Sequence, residues 1–146
     1  MPKAWVYLLV AGVAGMTMAV QGTLNSILGK VIGLFESTFV VHLLGTLTVA
    51  VLLLLRLGQG GLVRWSQAPW YVYFGGLLSV LIIYGVSVSI PKVGVGNATT
   101  MIVICQILTA VAIDHFGLFG VERLPCRWWD LVGIALLGVG AKILLR

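Results

Sequence analysis

Long apolar runs, broken by short stretches of Gly, Pro and charge, set the organisation of this chain. A helix needs ~20 predominantly apolar residues to cross the hydrocarbon core of a bilayer. Five segments meet that length, at about 4–31, 37–55, 70–90, 94–116 and 128–145. The first, from Ala4 to Val31, is long enough to require tilt or a kink. Glu36 and Ser37 supply acidic and hydroxyl start signals for the second. Pro69 precedes the third and Pro91 follows it, both as stops. Asp130 falls in the first turn of the fifth, and Arg146 after its end. The runs read as helices because open strands leave backbone polar groups unsatisfied in lipid. The predicted fold is an all-α integral membrane protein: a single membrane domain over 1–146 with five transmembrane helices.

The connections are too short to fold by themselves. The longest are "RLGQGGLVRWSQAP" (56–69) and "GLFGVERLPCR" (117–127), while "IPKVG" (90–94) is a very tight turn. Trp5, Trp65, Trp70, Trp128 and Trp129 all fall at predicted helix ends. Such placement is the aromatic belt of the membrane interface, and it supports the boundaries independently of hydropathy. The opening "MPKAWVYLLVAGVAGMTMA" has the outline of a signal peptide, with Lys3, an apolar stretch and small residues near position 19. Its helical pattern continues without a break, so it is read as the first membrane helix.

Composition agrees with a chain whose solvent is lipid. Of the 146 residues, 60% are hydrophobic and 9% charged, and mean hydropathy is +1.13. A soluble domain is nearer half apolar and a quarter charged. The net charge of +5 punctuates apolar runs, which points to headgroup anchoring and topology rather than to nucleic acid. Cys105 reads as a small apolar core filler, and Cys126 lies in a connection. The cysteines form no C-x-x-C motif and the two histidines supply no metal-ligand spacing, so neither metal nor cofactor is expected.

Charge leaves orientation nearly undecided. With five crossings, one side receives Lys3, Arg56, Arg64, Arg123 and Arg127, and the other Lys30, Lys92, Lys142 and Arg146. One reading is a single orientation, narrowly won. The other is insertion both ways, so that two opposed copies form an antiparallel dimer with a two-fold axis in the membrane plane. That arrangement reproduces the inverted-repeat geometry of many transporters from one short chain. Five helices barely enclose a polar cavity, so a pathway across the membrane calls for two or more copies.

Polar side chains in lipid need a reason. Gln21 and Asn25 stand four residues apart on one face of the first helix, beside Gly15, Gly22, Ser26 and Gly29. The second carries His42, the third Tyr84, Ser87 and Ser89, and the fourth Asn97, Thr99, Thr100 and Gln106, with Asp114 near its far end. Hydroxyls and amides of this kind serve either as hydrogen-bond glue between helices or as cavity lining. His42 is either a proton carrier or a neutral imidazole bonded to a neighbouring helix. No span has a central Asp, Glu, Lys or Arg. No phosphate loop, H-E-x-x-H, G-x-S-x-G or K⁺-filter sequence is present, and enzymatic chemistry has no visible apparatus.

At the fourth helix the chain becomes recognisable. "SVSIPKVGVGNATTMIVICQILTAVAIDHFGLFG" (87–120) and "WDLVGIALLGVGAKILL" (129–145) resemble the last two helices of drug/metabolite transporter superfamily proteins. The second also resembles the Gly-containing helix through which small multidrug resistance proteins pair. "QGTLNSILGKVIG" (21–33) and "LLGTLTVAVLLLL" (43–55) look like the first two helices of the YdcZ-like inner-membrane family of that superfamily. The resemblance implies a bacterial inner-membrane, multi-pass transporter half, exporter-like, that dimerises with itself or with a related five-helix chain. It also favours opposed insertion. The small multidrug resistance proteins carry a glutamate in helix one that binds proton and cationic drug; this first helix has no acidic residue. Amides and hydroxyls suit a neutral, zwitterionic or anionic solute better.

The expectation is therefore a dimeric secondary transporter of a small polar solute, working by alternating access. Gln21, Asn25, His42, Tyr84, Asn97, Thr100 and Gln106 would line the pathway, and Gly133, Gly138 and Gly140 would hold the dimer. The rivals are a small dimeric ion channel, told apart by its flux rate, and a non-transporting membrane scaffold, told apart by a co-purifying partner.

Overall fold

The computed structural model describes residues 2–145, with side chains from Trp5 onward. The side chain of Lys3, and Arg146, both used above to weigh orientation, lie outside the described residues. Five α-helices and no strand occur among the described residues: α1 (Pro2–Ile32), α2 (Leu34–Leu54), α3 (Phe74–Val93), α4 (Val95–Phe116) and α5 (Trp128–Leu144). Single 3₁₀ segments occupy Gly61–Gln67, Trp70–Tyr73 and Leu118–Gly120. Four spans, Trp5–Ile32, Leu34–Leu54, Trp70–Val93 and Val95–Phe116, are long and apolar enough to cross a membrane. Helix α5 has 17 residues, about 26 Å at 1.5 Å per residue, short of the ~30 Å hydrocarbon core.

Several expected boundaries move, each for a local reason. Helix α2 begins at Leu34 rather than at 37, because Gly33 takes the cap position with φ 100° and ψ 154°. Glu36 falls in the first turn, and Ser37 is a buried residue inside the helix. Residues 70–73 form a 3₁₀ turn ahead of α3 instead of its first α-helical turn. Pro91 does not stop α3, which runs on to Val93. A proline late in a helix removes one hydrogen bond but leaves the remaining turn intact. Gly94 then makes the whole turn to α4, with φ 85° and ψ 160°. Both glycine joints lie in a region of backbone space that L side chains almost never occupy.

The chain divides into two compact units, residues 1–91 and 92–146. In the first, α1 packs on α2. Helix α3 approaches α1 where a Cβ at Gly22 would meet Val86 and Ile90. In the second, α4 packs on α5. Large apolar side chains cover the outside: Leu8, Val31, Phe39, Leu54, Leu81, Leu136 and Ile143 are all exposed. Trp5, Trp65, Trp70, Trp128 and Trp129 are exposed too. Cys105 is exposed rather than core filler, because its face of α4 is one of those left uncovered.

Candidate functional site

The interior is more polar than the exterior. Among the described residues the buried polar side chains are Asn25, Ser26, Ser37, Thr38 and Ser87, against the apolar Ile90, Ala98 and Ala141. A water-soluble fold has the opposite distribution. All five polar residues belong to the first unit. Asn25 and Ser26 stand on α1, one turn beyond Gly22, which meets α3. Ser37 stands on α2, where its Oγ would lie 3.3 Å from a Cβ at Gly29 of α1. Ser87 stands on α3, next to Val86.

These hydroxyls differ in how they are satisfied. Ser37 Oγ and Thr38 Oγ1 both donate to the Leu34 carbonyl, at 2.9 and 2.8 Å. Ser87 Oγ is fully buried and has no partner. The Ser87 carbonyl loses its usual helical donor as well, because Pro91, four residues on, has no N–H. One residue thus presents an unmet donor and an acceptor short of a donor. An unsatisfied buried polar group costs about 1–3 kcal/mol. Among the described residues Ser87 Oγ is the buried side-chain polar atom with no partner, and a hydrogen-bonding group brought to it would remove that cost.

Helix α2 carries a second polar run along its i, i+4 line. His42 Nδ1 lies 2.8 Å from the Thr38 carbonyl. His42 Nε2 lies 2.8 Å from Ser79 Oγ on α3, and Ser79 Oγ reaches the Gly76 carbonyl at 2.7 Å. One turn of α3 further on, the Tyr84 ring stacks on Phe35 of α2, with centroids 5.0 Å apart and planes at 26°.

Of the expected site residues in this unit, Asn25 is buried, His42 and Tyr84 are half-buried, and Gln21 is exposed. The two amides of α1 therefore share a helix face without sharing an environment. In the second unit, Asn97 Nδ2 donates to the Val93 carbonyl at 2.9 Å. Thr100 is half-buried and Gln106 exposed. Gly133 and Gly138 of α5 are exposed and Gly140 half-buried, and a Cβ at any of them would meet nothing within 4 Å. Ser79 was not singled out from the sequence, although it is the one polar residue in "FGGLLSVLII" (74–83), and that isolation is the signal.

The second unit also has a recess of about 500 Å³ at the α4–α5 connection, lined by Asp114, Pro125, Cys126, Arg127 and Asp130 among others. His115 Nδ1 accepts from the Cys126 N–H at 3.0 Å, and the His115 carbonyl accepts from Arg123 Nε at 2.9 Å. These bonds fix the connection across the end of α4. None of the expected pathway residues lines the recess, and its charged rim suits a helix end at headgroup level. No group of three or more His, Cys, Asp or Glu able to hold a metal ion occurs among the described residues.

A family model described as "Putative inner membrane exporter, YdcZ" matches residues 6–143. No curated protein and no solved structure matches the chain.

Proposed function

The chain belongs to the YdcZ family of inner-membrane exporters, and from that premise we propose that it is a secondary transporter of a small polar solute, acting as a dimer by alternating access. Multi-pass placement in the inner membrane follows from the family and the four span-length helices. The family is one of exporters and not of enzymes. The observation that carries the proposal is the inverted polarity of the first unit. Asn25, Ser26 and Ser87 are buried under an apolar exterior, and the Ser87 hydroxyl has no partner. These residues form the wall against which the solute binds, with amides and hydroxyls donating and accepting hydrogen bonds. No acidic side chain lies among them, and Glu36 is the only acid in residues 1–91. A neutral, zwitterionic or anionic solute suits such a wall better than a cation.

The dimer is built through α5. Its glycines at 133, 138 and 140 are open, which lets a second helix approach closely. The near balance of positive charge favours opposed copies, and α5 is the fifth span in each. Asn97 and Thr100, three residues apart, give the second unit a polar face of its own, with Gln106 on the opposite side of α4.

The test is a stabilisation screen on purified protein in nanodiscs against neutral, zwitterionic, anionic and cationic solutes. A solute that binds the folded state raises its melting temperature. The expected hit stabilises the wild type but not Asn25→Ala or Ser87→Ala. A hit that stabilises all three equally removes this wall from the pathway. C-terminal fusions to a cytoplasm-active and an outside-active reporter test the dimer. Signal from both supports opposed copies, and signal from one alone removes the antiparallel model.

A further inference from the structure

We infer that His42, with Ser79 and the Gly76 carbonyl, forms a proton-binding site, and that its neutral state is the Nδ1–H tautomer. The argument rests on which atoms can donate. The Thr38 carbonyl only accepts, so His42 Nδ1, 2.8 Å away, carries a hydrogen. In the neutral ring Nε2 is then an acceptor. In that state Ser79, whose Oγ lies 2.8 Å from Nε2, turns its one hydrogen to the imidazole and away from the Gly76 carbonyl, to which it otherwise donates at 2.7 Å. When a proton binds the Nε2 lone pair, Nε2 becomes a donor to Ser79 Oγ. The Ser79 hydrogen then turns to the Gly76 carbonyl, which already stands 2.7 Å from Oγ. One proton is gained, one hydroxyl rotates, and the α2–α3 hydrogen bond persists in both states. An acceptor for each charge state is thus in place.

The surroundings decide what the charge does. On α3 the titratable side chains are Tyr84 and, in the last turn, Lys92; Tyr71 and Tyr73 precede the helix. On α1 the described ones are Tyr7 and Lys30. On α2 itself Glu36 lies six residues before His42, about 9 Å along the helix, and is exposed. Among the described residues no carboxylate forms an ion pair with His42. On the transporter reading, which this inference extends, His42 is where a coupling proton sits.

The test uses the full chain in nanodiscs with ¹⁵N-labelled histidine, followed by NMR over about pH 5–9, which spans the ordinary imidazole range. His115 is an internal reference, because its Nδ1 accepts from the Cys126 N–H and its hydrogen is therefore on Nε2. H115N assigns the two signals. The expected result is opposite neutral tautomers, Nδ1–H at His42 and Nε2–H at His115, with a second N–H appearing at His42 as the pH falls. In Ser79→Ala the Nε2 signal of His42 moves, because its one side-chain partner is gone, and Ser79→Thr restores it. An Nε2–H tautomer at His42, no second N–H at the acid end in folded protein, or an unmoved Nε2 signal in Ser79→Ala overturns the inference. Because nothing here depends on a solute, a hit that stabilises the wild type, Asn25→Ala and Ser87→Ala equally would remove the wall from the pathway and leave this site standing.

Discussion

Gly22 of α1 and Val86 of α3 meet so closely that a methyl group added to the glycine would stand 2.8 Å from the valine Cγ1. Valine in a helix has little rotameric freedom with which to yield. Overpacking a close contact of this kind costs about 1–3 kcal/mol. Gly22→Val is therefore expected to lower the melting temperature and the yield of folded protein, whereas Gly12→Ala, with nothing within 4 Å inside a helix, lowers neither. Equal loss in the two variants would show that α1 and α3 do not depend on this approach.

The joint at Gly94 makes a cleaner prediction, because torsion alone is at issue. A Cβ there would meet nothing within 4 Å, yet φ is +85°. Holding an L residue in that region costs of order 1–3 kcal/mol. Gly94→Ala should destabilise by that amount. Gly96→Ala, equally open and inside α4, should stabilise by up to ~1 kcal/mol. Thermal denaturation in one detergent compares the pair, and the opposite order would refute the torsional account.

At the start of α5, two bonds between Arg127 and Asp130 carry unequal weight. Asp130 Oδ2 accepts from the Arg127 backbone N–H at 2.7 Å, satisfying a donor at the helix start. The side-chain ion pair is 3.6 Å long and its arginine is 78% exposed. Capping contacts contribute ~1 kcal/mol, exposed ion pairs roughly 0–1 kcal/mol. Asp130→Ala is expected to cost clearly more stability than Arg127→Ala, and raising the salt concentration should not close the gap.

Tyr84 contributes its ring rather than its hydroxyl to the α2–α3 contact. The stack on Phe35 survives in Tyr84→Phe and disappears in Tyr84→Leu. Aromatic pairs add about 0.5–1.5 kcal/mol beyond their area. The leucine variant should melt lower by that amount and the phenylalanine variant should match the wild type. A solute bound in the wild type but not in Tyr84→Phe would instead give the hydroxyl a role in recognition.

The helices were legible because hydrocarbon leaves the backbone so few options; of the tryptophans, those at 5, 128 and 129 lie in first helical turns, whereas Trp65 and Trp70 fall in 3₁₀ segments between α2 and α3. Two boundary errors have one source. Glu36–Ser37 and Pro91 read by residue type as a start and a stop, while the effect of each depends on position. Gly33 caps α2 with positive φ, and Pro91 comes too late in α3 to end it. The site was half legible. An amide or imidazole in an apolar run announces itself, as Asn25 and His42 did. Whether it is covered depends on which face meets a neighbour, and the nearly uniform hydrophobicity of α1 and α4 hides that. Gln21 and Gln106 are exposed, which that uniformity conceals. Ser79 was missed because a single hydroxyl carries no pattern until its partner on another helix is known.

Helix α1 spans 31 residues and α5 only 17, about 46 Å and 26 Å of rise. One bilayer cannot match both without deformation. A slab thick enough for α1 to stand upright stretches past α5, and a slab fitted to α5 forces α1 to lean. Acyl-chain length thus becomes a mechanical variable of this protein. Its stability and turnover should pass through an optimum as the reconstituting lipid is lengthened.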